Sequence, residues 1–137
     1  MVTTISGLFR PQAYFDTPTG FATWSPDGST LTFQTQSGDI RTLWIQPLEG
    51  GDARQITFGT EEHSHPQWSP VDPDLILFAL NHKNLCTVSV SSGKIVQITD
   101  YVAADLVLDY PSWSPEGTRI YYTLSRKTGD LYTLENY

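Results

Sequence analysis

The sequence predicts an all-β protein built from repeated four-stranded antiparallel units. Three observations lead there. The stretch Trp24-Ser25-Pro26-Asp27-Gly28 returns as Trp68-Ser69-Pro70 and as Trp113-Ser114-Pro115-Glu116-Gly117, at intervals of 44 and 45 residues. Self-similarity at that period marks a stacked-repeat architecture. The same succession of short apolar runs follows each copy. The composition, 39% hydrophobic, 12% aromatic and 17% charged, suits a folded β protein, and no helical periodicity of useful length is present.

Each repeated Trp ends a short first strand, and the Ser-Pro-(Asp/Glu)-Gly after it turns the chain. Pro presets φ at the first central turn position, and Gly takes the left-handed residue that follows. The second strands are Thr30–Gln34, Leu75–Ala79 and Arg119–Thr123. The third are Thr42–Ile45, Leu85–Val90 and Leu131–Leu134. Gly50-Gly51 and Ser91-Ser92-Gly93 then turn into the fourth, Arg54-Gln55-Ile56-Thr57 and Val96-Gln97-Ile98-Thr99. In the second repeat Val71-Asp72-Pro73-Asp74 replaces Asp-Gly, which predicts a wider turn with Pro73 outside the ladder.

Four short antiparallel strands per repeat of this length describe a β-propeller blade. The predicted units are residues 20–57, 64–99 and 109–137, in a single domain over 1–137. The Trp-Ser-Pro-Asp-Gly turn, the Leu-Trp third strand at Leu43-Trp44 and the Arg-Gln-Ile-Thr fourth strand at 54–57 resemble the TolB-type, WD-like propeller repeat family. The resemblance runs from Val2 to Tyr137. It implies a propeller, with six blades a common count, and binding roles of many kinds. Many such propellers are periplasmic, but Met1–Ser6 shows no signal peptide, so the chain as given reads as cytoplasmic. Periplasmic placement would follow from N-terminal trimming.

The third unit shows three strands before the sequence stops at Tyr137. An unmatched fourth-strand pattern, Thr3-Thr4-Ile5-Ser6, lies at the other end. Residues 1–6 are therefore expected to complete the third unit of a second copy, so that two half-propellers close as a six-bladed homodimer. Three blades alone do not close a propeller. The alternative is that the chain is part of a longer propeller.

The formal net charge of −7 argues against a nucleic-acid partner, which needs a basic footprint. No run approaches the length of a membrane span. The single cysteine, Cys86, excludes an internal disulfide and sits in a strand as a small core residue.

The candidate chemistry lies before the second Trp, at His63-Ser64-His65-Pro66-Gln67. Strand alternation would put His63, His65 and Gln67 on one side, and His-x-His supplies two imidazoles to a divalent transition metal. The stretch His65–Pro73 also resembles a segment of the oligogalacturonate lyases, propeller enzymes that hold a divalent metal with His and Gln. The matching segments, Gln12–Thr23 and Asp109–Ser112, contain no His. On the expected binding face, the loops before the first strands bring Asp16, Glu61, Glu62, Asp105 and Asp109. The loops between second and third strands bring His82, Lys83 and Arg126. An acidic mouth with a basic rim suits a cation, a protein or a carbohydrate ligand. No nucleophile elbow, phosphate loop or dinucleotide fingerprint is present, and no catalytic residue is assigned. Two readings follow: a noncatalytic TolB-like binding module, and a metal-dependent carbohydrate-active enzyme of the lyase type. A sensor or accessory half of a larger hydrolase is a third.

Overall fold

The computed structural model describes residues 19–127 and 132–136, with side chains from 21 to 127. The N-terminal run Thr3–Ser6 and Asp16 lie outside the described residues. Eleven strands are described: β1 (Thr19–Trp24), β2 (Thr30–Ser37), β3 (Ile40–Pro47), β4 (Arg54–Gln55), β5 (His63–Trp68), β6 (Leu75–Leu80), β7 (Asn84–Ser89), β8 (Ile95–Gln97), β9 (Leu106–Trp113), β10 (Ile120–Arg126) and β11 (Tyr132–Asn136). They form three antiparallel sheets in sequential order, β1-β2-β3-β4, β5-β6-β7-β8 and β9-β10-β11. No helix occurs among the described residues, so none is long and apolar enough to cross a membrane.

The repeated turn does what its residues dictate. Gly28 N donates to Ser25 O at 2.9 Å, and Gly117 N to Ser114 O at 2.9 Å. Both glycines sit at positive φ, 75° and 74°. The serine is the pivot: its Oγ accepts from Thr30 N in one copy and from Arg119 N in the other, both at 3.0 Å. Asp27 accepts from the Ser25 hydroxyl and from the Ser29 amide and hydroxyl, which holds its carboxyl down at about 2. The second turn is wider, as Pro73 requires. There Ser69 Oγ accepts from Val71 N and Asp72 N, and the Trp68 indole closes on Pro73 O at 3.0 Å.

The fourth strands are shorter than the apolar runs, and the Gln-Ile-Thr motif explains why. Thr57 Oγ1 accepts from Leu43 N at 2.9 Å, and Thr99 Oγ1 accepts from Leu85 N at 2.9 Å. Each threonine hydroxyl thus takes a bond that a backbone carbonyl would take in a longer ladder. Gln55 and Gln97 fix the bend by donating to the carbonyls of Thr57 and Thr99.

The sheets stack face on face through two apolar layers. Leu43, Ile45 and Ile56 of the first sheet meet Trp68, Ile76, Phe78, Cys86 and Val88 of the second. Leu77, Ala79 and Leu85 on the other face of the second meet Leu108, Ile120 and Tyr122 of the third. A fully buried Leu, Ile or Phe contributes about 1.5–3 kcal/mol, so these layers set the angular stacking of the sheets. Burial pushes the Cys86 thiol up to about 11, in keeping with a core role. Of the three repeated tryptophans, Trp68 is buried. Trp24 packs half-buried on Leu31 and Phe33, and Trp113 half-buried against the second layer. The Trp113 indole also reaches across sheets to Gln67 O at 3.0 Å. The first strand β5 neighbours both β1 and β9, while β4 and β8 form far edges.

Candidate functional site

Each first strand carries a bulge. The pairing register shifts between Gly20 and Ala22 in β1, between Ser64 and Gln67 in β5, and opposite Tyr121–Thr123 in β9. The residue at the bulge has left-handed backbone in all three: Phe21 at φ 42°, His65 at 54° and Tyr110 at 54°. Each stands three residues before its repeated Trp. A non-glycine residue held there costs about 1–3 kcal/mol, and such positions gather where a side chain must be re-aimed. The three rings come together. Phe21 and His65 lie 4.4 Å apart by centroid, and His65 and Tyr110 lie 5.7 Å apart. His65 is 7% exposed, whereas Phe21 and Tyr110 are 52% and 67% exposed. One buried imidazole is thus flanked by two open aromatic faces.

The bulge breaks the alternation that would have kept His63, His65 and Gln67 on one side. His63 turns into the core edge-on to Phe78, with ring centroids 5.2 Å apart, and its Nδ1 has no hydrogen-bond partner among the described residues. Gln67 offers its carbonyl to Trp113. His65 instead faces His82, at a centroid distance of 5.5 Å. Its backbone amide donates to the Gln34 side chain and its Nδ1 meets Ser64 Oγ, both at 3.0 Å. Burial holds both His63 and His65 below the usual imidazole range. For His65 the charge of His82 acts in the same direction, and Asp109 opposes it.

His82 is the centre of a charged network. It lies in the tight Asn81-His82-Lys83 turn between β6 and β7, where Asn81 and His82 have φ of 54° and 50°. Three bonds hold this turn in place. Asn81 N donates to Glu62 O, the Asn81 side chain accepts from Glu62 N, and Leu108 N donates to His82 O. The ring is thereby set between two carboxylates, with Nε2 3.0 Å from Glu62 Oε1 and Nδ1 3.1 Å from Asp109 Oδ1. Arg41, at the start of β3, donates to the same Glu62 oxygen. Burial pulls Glu62 upward, but the bonds and charges of Arg41 and His82 outweigh it and leave the carboxyl below its ordinary value. At the next sheet Arg126 pairs with Asp105 at 2.8 Å, and with Lys83 nearby this keeps Asp105 low as well. Glu61 accepts from the Asn81 amide at 3.0 Å.

Of the acidic and basic loop residues of the sequence reading, Glu62 and Asp109 pair with His82, and Asp105 pairs with Arg126. Of the two histidines in its metal trio, His65 joins a group with ligand-like spacing among the described residues, together with His82 and Asp109, and His63 does not. Sequence reasoning missed Arg41 and Phe21. Phe21 had a signal: an aromatic ring stands three residues before Trp24, Trp68 and Trp113 alike.

No family model matches the chain. A stretch of 74 residues is 40% identical to the uncharacterized peptidase YuxL of Bacillus subtilis (strain 168), covering 53% of this chain and 10% of that protein. Among solved structures, TolB from Acinetobacter baumannii superposes with a TM-score of 0.67 at 20% identity, over 88% of this chain and 30% of that one. A putative TolB from Agrobacterium tumefaciens gives 0.65 at 22% identity, over 84% and 40%. An oligogalacturonate lyase in complex with manganese gives 0.63 at 20% identity, over 77% and 28%. The chain thus spans a tenth of the curated relative and well under half of each of these structures. These likenesses show the fold, that of TolB-type propeller blades.

Proposed function

We propose that the chain is a noncatalytic propeller module, three blades that pair with a second copy into a six-bladed ring and bind a ligand at the channel mouth. The observation that carries the binding role is the thrice-repeated bulge. Backbone strain is retained at equivalent positions of three sheets, and each time it aims an aromatic ring at the same place. Exposed Phe21 and Tyr110 beside the Arg41–Glu62–His82–Asp109 network offer flat apolar surface next to fixed polar groups. That combination suits a carbohydrate ring or an aromatic-bearing protein segment. Pairing is supported by two features. Among the described residues β11 ends its sheet with a strand edge, and edges seek partners. Residues 3–6 repeat the fourth-strand pattern that such an edge would accept. Domain limits of 20–57, 64–99 and 109–137 for the three blades follow from the same reading.

The test is a ligand screen on glycan and peptide arrays, with the wild type beside the Phe21→Ala/Tyr110→Ala double variant. A ligand retained by the wild type and lost by the variant supports the reading. A ligand bound equally by both overturns it. The second reading, a metal-dependent carbohydrate-active enzyme, is favoured by the manganese-bound lyase among the structural neighbours and by the place of His65. Turnover of oligogalacturonate to unsaturated products would establish it in place of the first.

A further inference from the structure

The geometry points to a divalent transition-metal site formed by His65, His82 and Asp109, at the junction of all three sheets. It goes beyond the binding-module reading, which stands or falls independently of it. The ligand atoms of the three residues lie within 4.8 Å of one another. The closest pair, His82 Nδ1 and Asp109 Oδ1, is 3.1 Å apart. Metal bonds to imidazole nitrogen and carboxylate oxygen run about 2.0–2.2 Å, so neighbouring ligands in a tetrahedral site lie about 3.3 Å apart. The pair already has that spacing, and His65 needs only a modest closing movement.

What separates this group from a casual cluster is the layer behind it. A metal-bound histidine keeps its free ring nitrogen donated to a carboxylate or another acceptor, which fixes the tautomer and aims the lone pair. Both histidines have a partner with an acceptor oxygen at one ring nitrogen. His82 Nε2 is held by Glu62, and Glu62 is in turn held by Arg41, which leaves Nδ1 for the metal. His65 Nδ1 is held by Ser64 Oγ at 3.0 Å, which leaves Nε2. The backbone is fixed too: His65 and His82 both sit at positive φ, anchored by Gln34 and by Leu108 N. Asp109 comes from β9, so the third ligand depends on the stacking of the third sheet on the second. His65 is buried, while His82 and Asp109 are about one-third exposed, so a bound ion keeps a side open to solvent or ligand. Two nitrogens and one carboxylate with open positions match zinc, iron(II), manganese and cobalt chemistry.

Cobalt(II) and zinc are the probes. Purified metal-free protein is titrated with cobalt(II) and followed by visible absorption, with zinc followed by calorimetry and by the shift in melting temperature. One ion per chain is expected, with the absorption of a low-coordinate cobalt site and a rise in melting temperature under excess zinc. Asp109→Asn and His82→Gln, which alter half-exposed side chains, should abolish that signal while circular dichroism stays unchanged. Glu62→Gln, a positioning change, should weaken zinc binding about 10–100-fold and leave the cobalt spectrum recognisable. Binding that persists unchanged in Asp109→Asn and His82→Gln overturns the proposal, as does absence of cobalt absorption in the folded wild type.

Discussion

Gly28 and Gly117 occupy the same place in two copies of one turn, with φ of 75° and 74°, yet replacing them with alanine should have different costs. At both positions a Cβ must enter left-handed backbone, which costs about 1–2 kcal/mol for an L residue. At Gly28 a Cβ would meet nothing within 4 Å, so that conformational cost is the whole effect. At Gly117 the same Cβ would stand 2.5 Å from Val71 Cγ2, the side chain of the wide turn in the neighbouring sheet. Relieving that contact means rotating a β-branched side chain or shifting one turn against the other, and overpacking of this kind costs about 1–3 kcal/mol. Val71 is largely exposed and has room to turn, so the lower half of that range applies. Gly117→Ala should therefore be about 2–4 kcal/mol destabilising, and Gly28→Ala about 1–2. Urea unfolding of both variants at one protein concentration gives the difference. Val71→Ala should recover the excess in Gly117→Ala and nothing in Gly28→Ala, a coupling that a double-mutant cycle isolates. Equal costs for the two glycines, or no rescue by Val71→Ala, would refute the reasoning and with it the approach of the second and third sheets at this face.

Further expectations concern the core, the sheet contacts and the assembly. His63 and His65 have folded pKa values below the ordinary 6.5, so the unfolded chain takes up protons first as pH falls. The contribution of these two histidines to stability should be flat above pH 7 and decline from about 7 downward. In His63→Phe the slope between pH 7 and 5 should shrink, as read by melting temperature across buffers; an unaltered slope would contradict the burial of His63. Trp113→Phe removes the indole bond to Gln67 O and should cost about 1 kcal/mol in denaturant unfolding, beyond any change of ring volume. Deleting residues 1–7 should lower the association constant of the chain with itself in sedimentation equilibrium. A wild type that sediments as a monomer at micromolar concentration would remove the dimer from the proposal.

The sequence by itself determined the repeat and the order of strands within it. Trp-Ser-Pro-Asp-Gly and Gln-Ile-Thr act within a few residues of themselves or on the next strand, and so they read the same in any fold that contains them. Even the width of the second turn was legible, because Pro73 has no N–H to give a ladder. What the tertiary structure decided is which side chains meet. Alternation along β5 placed His63, His65 and Gln67 together, but one bulge at His65 reversed the relation between neighbours, and His63 went to the core. Nothing local to His82 announces Glu62 on one ring nitrogen and Asp109 on the other. Glu62 lies 20 positions away and arrives through the pairing of β5 with β6, whereas Asp109 lies 27 positions away and arrives only because the third sheet stacks on the second. Side chains on one strand are ordered by the pleat, which sequence records. Those on different sheets are ordered by packing, which depends on the whole chain at once.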